Sequence, residues 1–168
     1  TIPNDKILQI VDKKTPALDA FELADEILQD GVRGISEIIT VTGLINVDFA
    51  DVKRIMKSSG SAIMGIGKGT GDNRAVEAAK LAISSPLLDL SIEGAKGVLF
   101  TVTSGPDLAM YEIQEAAKII TSSADPDADV IFGTIIDESL GDELRVTVIA
   151  TGFSDRDKIV SKAAATSY

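Results

Sequence analysis

From Thr15-Pro16 to about Thr40 the chain carries one helical pattern, and that pattern is apolar on two sides. Thr15 reads as the capping residue and Pro16 as the first-turn proline, a favourable way into a helix. About 24 residues at helical rise give an element roughly 36 Å long. Steps of three and four pick out Leu18, Phe21, Asp25, Leu28, Val32, Ile35 and Ile39, with Asp25 the one polar member. A second face holds Ala24, Ile27, Gly31, Gly34 and Ile38, small or apolar throughout. A helix buried on two sides has to lie between two packed bodies. Only one such body follows it here.

That body is legible as alternating elements. A shorter helix runs from Asp48 to about Ser59, "SAIMGIG" reads as a strand, and a helix over Asp72 to Ser84 carries Val76, Ala79, Lys80 and Ile83. "KGVLFTVT" (96–103) is a strong strand, followed by an amphipathic helix over Asp107 to Ala124 with Met110, Ile113, Ala117 and Ile120 on one face. "DVIFGTIID" (129–137) and "ELRVTVIATGF" (143–153) are two more strands joined by a turn-rich link. The fold class is therefore α+β, a long core helix followed by a small mixed-sheet sandwich of about four strands with flanking helices. From Ser154 the apolar pattern fades, which predicts a flexible tail or linker over 154–168. The opening "TIPNDK" has no initiator Met and a strand-like start, so the chain reads as a cut piece of a longer protein.

Composition removes several chemistries. With no cysteine and no histidine, zinc sites and Ser-His or Cys-His hydrolase centres are excluded within the chain. Acid–base work falls to carboxylates, lysines, tyrosines or water. A formal net charge of −10 with scattered basic residues argues against a nucleic-acid surface. No apolar run approaches the ~18 residues of a membrane span.

Three stretches carry candidate chemistry. "GIGKGTGD" (65–72) fails both glycine-rich phosphate patterns: Thr70 stands where a dinucleotide fingerprint needs Gly, and Gly69 follows Lys68 where a P-loop needs Ser or Thr. It reads as a flexible strand-to-helix loop, with Asp72 capping the next helix. Asp25 is either a tolerated polar residue at a helix contact, or it works with Phe21 one turn earlier. The ring would stack on a base and the carboxylate would accept from adjacent N–H donors, an edge that guanine has and adenine lacks. In "GLINVDFADV" (43–52), Asp48 is placed to cap a helix and Asp51 lies in its first turn. Asn46, Asp48 and Asp51 are also a set that can orient and polarise a water. The calcium-loop pattern fails, because Asp51 stands where Gly is required, and no metal ligands are assigned.

"TIPNDKIL", "DAFELADEIL", "GVRGISEIIT", "GLINVDFADVK", "SSPLLD" and "DELRVTVIATGF" together resemble the bacterial cell-division GTPases of the FtsZ family, the tubulin homologues. The resemblance is collinear over residues 1 to about 153. It implies that residues 1–40 are the end of the GTP-binding domain with the long core helix. Residues 41–153 would then be the C-terminal GTPase-activating domain. Asn4 matches an asparagine reaching the base and ribose, Phe21 the ring stacked on guanine, and Asp25 the acid reading its N1/N2 edge. Asn46, Asp48 and Asp51 match a loop that enters the nucleotide pocket of the next subunit in a head-to-tail filament, where the acids position the water attacking the γ-phosphate.

The implied ligand is GTP or GDP, with Mg2+ in the whole protein. The implied partners are further copies of the chain, the missing N-terminal domain and division-ring regulators, with no nucleic acid and no direct membrane insertion. The implied place is the cytoplasm at the division site. Two family features have no match here: the loop G-G-G-T-G-[ST]-G and the C-terminal peptide for membrane-tethering partners. The chain alone is therefore expected to be inactive and unanchored. The competing expectation is a non-catalytic structural module that makes or caps filament contacts.

Overall fold

The computed structural model describes residues 11, 14–85 and 92–153; the expected tail and Asn4 lie outside them. Helix α1 spans Ala17–Thr40, the bounds its periodicity predicts. Its entry is displaced by one residue: Pro16, not Thr15, occupies the cap position, and its carbonyl accepts from the N–H of Ala20 at 3.1 Å. Proline lacks only an N–H that no helix start would use.

The two faces of α1 meet different fates. Gly31 and Ile38 are buried, and a Cβ on Gly34 would stand 3.0 Å from the Thr147 methyl, so this face lies close on the sheet. The other stripe is bare among the described residues: Leu18, Phe21, Leu28 and Val32 are all at least 60% exposed. One of the two bodies required by a doubly apolar helix is present.

Helix α2 (Phe49–Met56) follows, ending short of the expected Ser59 because Lys57 is extended and Ser58 turns with φ 57°. Then come β1 (Ile63–Gly69), α3 (Arg74–Ile83), β2 (Gly97–Ser104), α4 (Met110–Ser123), β3 (Asp129–Ile136) and β4 (Leu144–Thr151). The sheet order is β1-β4-β2-β3. Strands β2 and β3 are parallel, joined by the α4 crossover, and β4 runs antiparallel to both β2 and β1. The two central strands, "GVLFTVTS" and "LRVTVIAT", are buried along nearly their whole length.

Alternation along those strands divides the core between two sides of the sheet. Val98, Phe100, Val102, Val146, Val148 and Ala150 pack with the alanines of α3 and with Ile120 of α4. Leu99 and Ile149 pack with Ile38 of α1 and Val52 of α2. Each such side chain fully removed from water stabilises the fold by roughly 1.5–3 kcal/mol. Phe100 and its register partner Phe132 stack with ring centroids 5.4 Å apart.

The glycine run is strand through Gly69, and only its end, with Gly71 at φ 80°, is the expected loop. Gly65, Gly67 and Gly69 all belong to β1, and a Cβ on Gly67 would press into the Ala78 carbonyl of α3. The glycines are there to let α3 lie against the strand backbone. The buried face of α3 is accordingly its smallest one, Ala75, Ala78, Ala79 and Ala82, while Lys80 is exposed. Asp72 makes no cap: the helix begins at Arg74, with Asn73 at the cap position. Met110, expected in the core, is 62% exposed; Ile113, Ala116 and Ile120 carry the buried face of α4.

Arg74 is buried and closes one end of the sandwich. Its Nε and Nη2 donate to the two carboxylate oxygens of Glu112 at 2.6 and 3.0 Å. Its Nη1 donates to the Asp142 carbonyl at 3.1 Å and pairs with Asp107 at 3.1 Å. Glu112 in turn accepts the N–H of Ala109 at 2.9 Å, capping α4.

Candidate functional site

The chain leaves α1 at Thr40 and must cross to α2 within eight residues, and the sheet fixes how it does so. Ile45 forms an isolated antiparallel bridge with Thr134 on β3. The Ile45 N–H donates to Thr134 Oγ1 and the Thr134 N–H donates to the Ile45 carbonyl, both at 2.9 Å. Gly43 passes so close to the Thr134 carbonyl that a Cβ would collide with it. Asn46 closes the loop on itself, its Oδ1 accepting the Gly43 N–H at 2.8 Å. A void of about 10 Å³ beneath the loop is lined by Asn46, Thr101 and Thr134, close to the size of one water.

Asp48 takes the cap position of α2 with extended backbone, φ −72° and ψ 132°. Its Oδ1 accepts the Ala50 N–H at 3.0 Å, and its carbonyl accepts the N–H of Asp51 and Val52. Val52 and Ile55 are buried against the sheet, which turns Asp48 and Phe49 outward. Asp51 lies in the first turn, where the helix dipole favours negative charge. Its Oδ1 accepts from Arg54 Nη1 at 2.8 Å, and Arg54 Nε donates to Asp129 Oδ2 at 2.9 Å. The hydrogen bond and charge of Asp129, with help from Asp51, raise the guanidinium pKa above its ordinary value.

The structure thus brings Asn46, Asp48 and Asp51 together on a loop and helix start held by the sheet. Each acid has one oxygen engaged, leaving its Oδ2 without a hydrogen bond among the described residues. Carboxylates presented this way can accept from a water and polarise it. They repel a phosphate, so any phosphate has to be bound by another surface. No three acidic side chains among the described residues converge to hold a metal ion.

Phe21 and Asp25 lie elsewhere. Both are exposed on the bare stripe of α1, and Asp25 lines a shallow open groove with Leu28, Gln29, Val32, Arg33, Ser36 and Glu37. Ile38, which packs with Val52 of α2, is thirteen residues further on, roughly 20 Å along the helix axis. Phe21 and Asp25 therefore do not converge with Asp48 and Asp51 on one pocket among the described residues. Sequence reasoning passed over Arg54 and Asp129. The spacing of Asp51 and Arg54 is a local signal that could have found the first; nothing local points to the second.

A family model described as the FtsZ family, C-terminal domain, matches residues 60–154. Among solved structures, an empty FtsZ dimer from M. jannaschii is 46% identical with a TM-score of 0.84, covering 90% of this chain and 44% of that one. The W319Y mutant of the M. jannaschii protein is 45% identical with a TM-score of 0.85, covering 90% and 46%. A GTPγS-bound protofilament of CetZ2 from Haloferax volcanii shares the fold at 16% identity, TM-score 0.72, covering 98% of this chain and 49% of that one. The chain spans less than half the length of the FtsZ chains it matches. No helix among the described residues is long and apolar enough to cross a membrane.

Proposed function

The chain belongs to the FtsZ family, and from that we propose that it is part of a filament-forming GTPase in which Asp48 and Asp51 act on a nucleotide held by the next subunit. The observation that carries this reading is the pair of acids on a sheet-anchored helix start, while Phe21 and Asp25 lie on the first half of α1, Asp25 roughly 20 Å along the axis from Ile38, where α1 packs with α2. One chain offers base contacts at one place and hydrolytic groups at another. Head-to-tail association of copies would bring the acids of one to the phosphates of the next, and a related FtsZ is described as a dimer. Asp48 and Asp51 would orient and polarise the water that attacks the γ-phosphate, with Asn46 shaping the loop.

In this reading residues 1–40 complete a GTP-binding domain, with Asn4, Phe21 and Asp25 at the base and ribose, and residues 41–153 activate hydrolysis in the neighbour. The substrate is GTP with its magnesium, and the setting is the cytoplasmic division ring. Mixing this chain with a separately produced GTP-binding half should release phosphate, whereas the chain alone should release none. Release that persists when Asp48 and Asp51 are both changed to Asn would overturn the role of the acids. Filaments that shorten with no release would favour the module that only caps contacts.

Asp25 gives a separate check. In the full-length protein Asp25→Ala should weaken GTP binding on the order of tenfold to a hundredfold, the worth of hydrogen bonds to a charged acceptor, and leave ATP binding unchanged. Calorimetry with both nucleotides decides it: equal losses would make Asp25 structural.

A further inference from the structure

We propose that Arg54 is a positioning residue for Asp51: clamped between Asp51 and Asp129, its guanidinium fixes one oxygen of the Asp51 carboxylate and leaves the other directed to the water. This rests on the reading of Asp51 as an acid acting on the neighbour's nucleotide. Asp51 alone is an exposed side chain in a helix first turn, free to change rotamer. An ordinary exposed pair at this spacing would not hold it, because two solvated charged side chains constrain one another weakly. Arg54 differs in having a second anchor on a different element. Asp129 is the first residue of β3, its own N–H donates to the Lys96 carbonyl at 2.8 Å, and it is aligned with Gly97 in the parallel ladder.

The planar guanidinium presents its N–H groups in fixed directions, so holding Nε at Asp129 sets where Nη1 can meet Asp51. The contact is made at Oδ1 alone, and Oδ2 has no hydrogen bond among the described residues. A carboxylate held by one oxygen, with the other free, is the arrangement that water polarisation asks for. Arg54 also offsets part of the charge of Asp48 and Asp51, two like charges three residues apart. Lysine could supply the charge but not the fork.

The test is steady-state GTP turnover by the full-length protein, with filament mass and thermal stability measured on each variant. Arg54→Ala should lower kcat about threefold to tenfold, more than an exposed pair is worth because the docked junction excludes water. KM for GTP, filament mass and melting temperature should stay near wild type. Arg54→Lys should recover part of the loss, and Asp129→Asn should show a smaller one. The decisive variant is Arg54→Ala combined with Asp51→Asn, which should turn over no more slowly than Asp51→Asn alone. An Arg54→Ala protein with wild-type kcat, or one that loses the same factor in both backgrounds, overturns the positioning role while Asp51→Asn remains slow. Wild-type turnover by Asp51→Asn itself overturns the reading of Asp51, and the role of Arg54 falls with it.

Discussion

Changing Asp48 to Asn in the full-length protein should slow GTP turnover by an order of magnitude or more and leave GTP affinity and folding stability nearly untouched. The geometry of the cap makes this a clean substitution. Asp48 uses one oxygen to accept the Ala50 N–H. The amide oxygen of Asn can accept the same bond, and Asn caps about as well as Asp. What the change removes is negative charge. If Asp48 only capped α2, turnover would be unaffected. If it polarises a water, the loss of charge acts on the chemical step alone.

Asp51→Asn should behave similarly. Because the acids would serve another subunit, either variant mixed with a protein defective only in nucleotide binding should regain partial activity. Each mixed junction then pairs an intact pocket with an intact loop. Wild-type turnover by Asp48→Asn with normal assembly, or no recovery in any mixture, would end the trans-acting reading.

The second large effect is on stability. Arg74→Met should destabilise the chain by about 3–5 kcal/mol, because it leaves the Glu112 carboxylate charged, largely buried and without its cation. The double change Arg74→Met with Glu112→Leu should recover much of that loss, since a buried pair is often replaced by apolar groups at little cost. Recovery should be incomplete, because Arg74 also satisfies the Asp142 carbonyl. Urea unfolding of wild type and the two variants measures this, and a single variant as stable as wild type would mean the end of the sandwich is held by packing alone.

The same pair gives a pH dependence. The hydrogen bond from Arg74, aided by the Ala109 N–H, holds the Glu112 carboxyl below its ordinary 4.5 despite its burial. A carboxyl lowered in the folded state adds stability that is full above its unfolded pKa and disappears as pH falls through the folded value. Stability should therefore decline on acidification below about pH 4.5, and Glu112→Gln should flatten that limb.

What the sequence disclosed follows from how local each signal is. Helix α1 was legible to within a residue because one periodicity runs unbroken through 24 positions. Strands β2 and β4 were legible from their apolar content, with ends displaced by a residue or two. Strand order was not, because β4 inserts between β1 and β2 through pairings such as Ile63 with Ala150, which no local pattern encodes. The packing of α3 on β1 was not legible, because it depends on Gly67 letting the Ala78 carbonyl approach the strand backbone, a contact between distant elements. At the site, the cap at Asp48 could be read from spacing, while the Arg54 clamp depends on a partner 75 residues away.

The bridge between Ile45 and Thr134 has a consequence for the chain's behaviour in crowded solution. Strand β3 lies at the outer edge of the sheet, and an open edge offers unpaired backbone groups to any extended polypeptide it meets. Ile45 occupies that edge part-way along with two hydrogen bonds. A foreign strand could not pair along the whole of β3 without first displacing the loop that carries the two acids. Protection against strand-to-strand aggregation and placement of the acids thus rest on one contact, and selection for either property preserves the other.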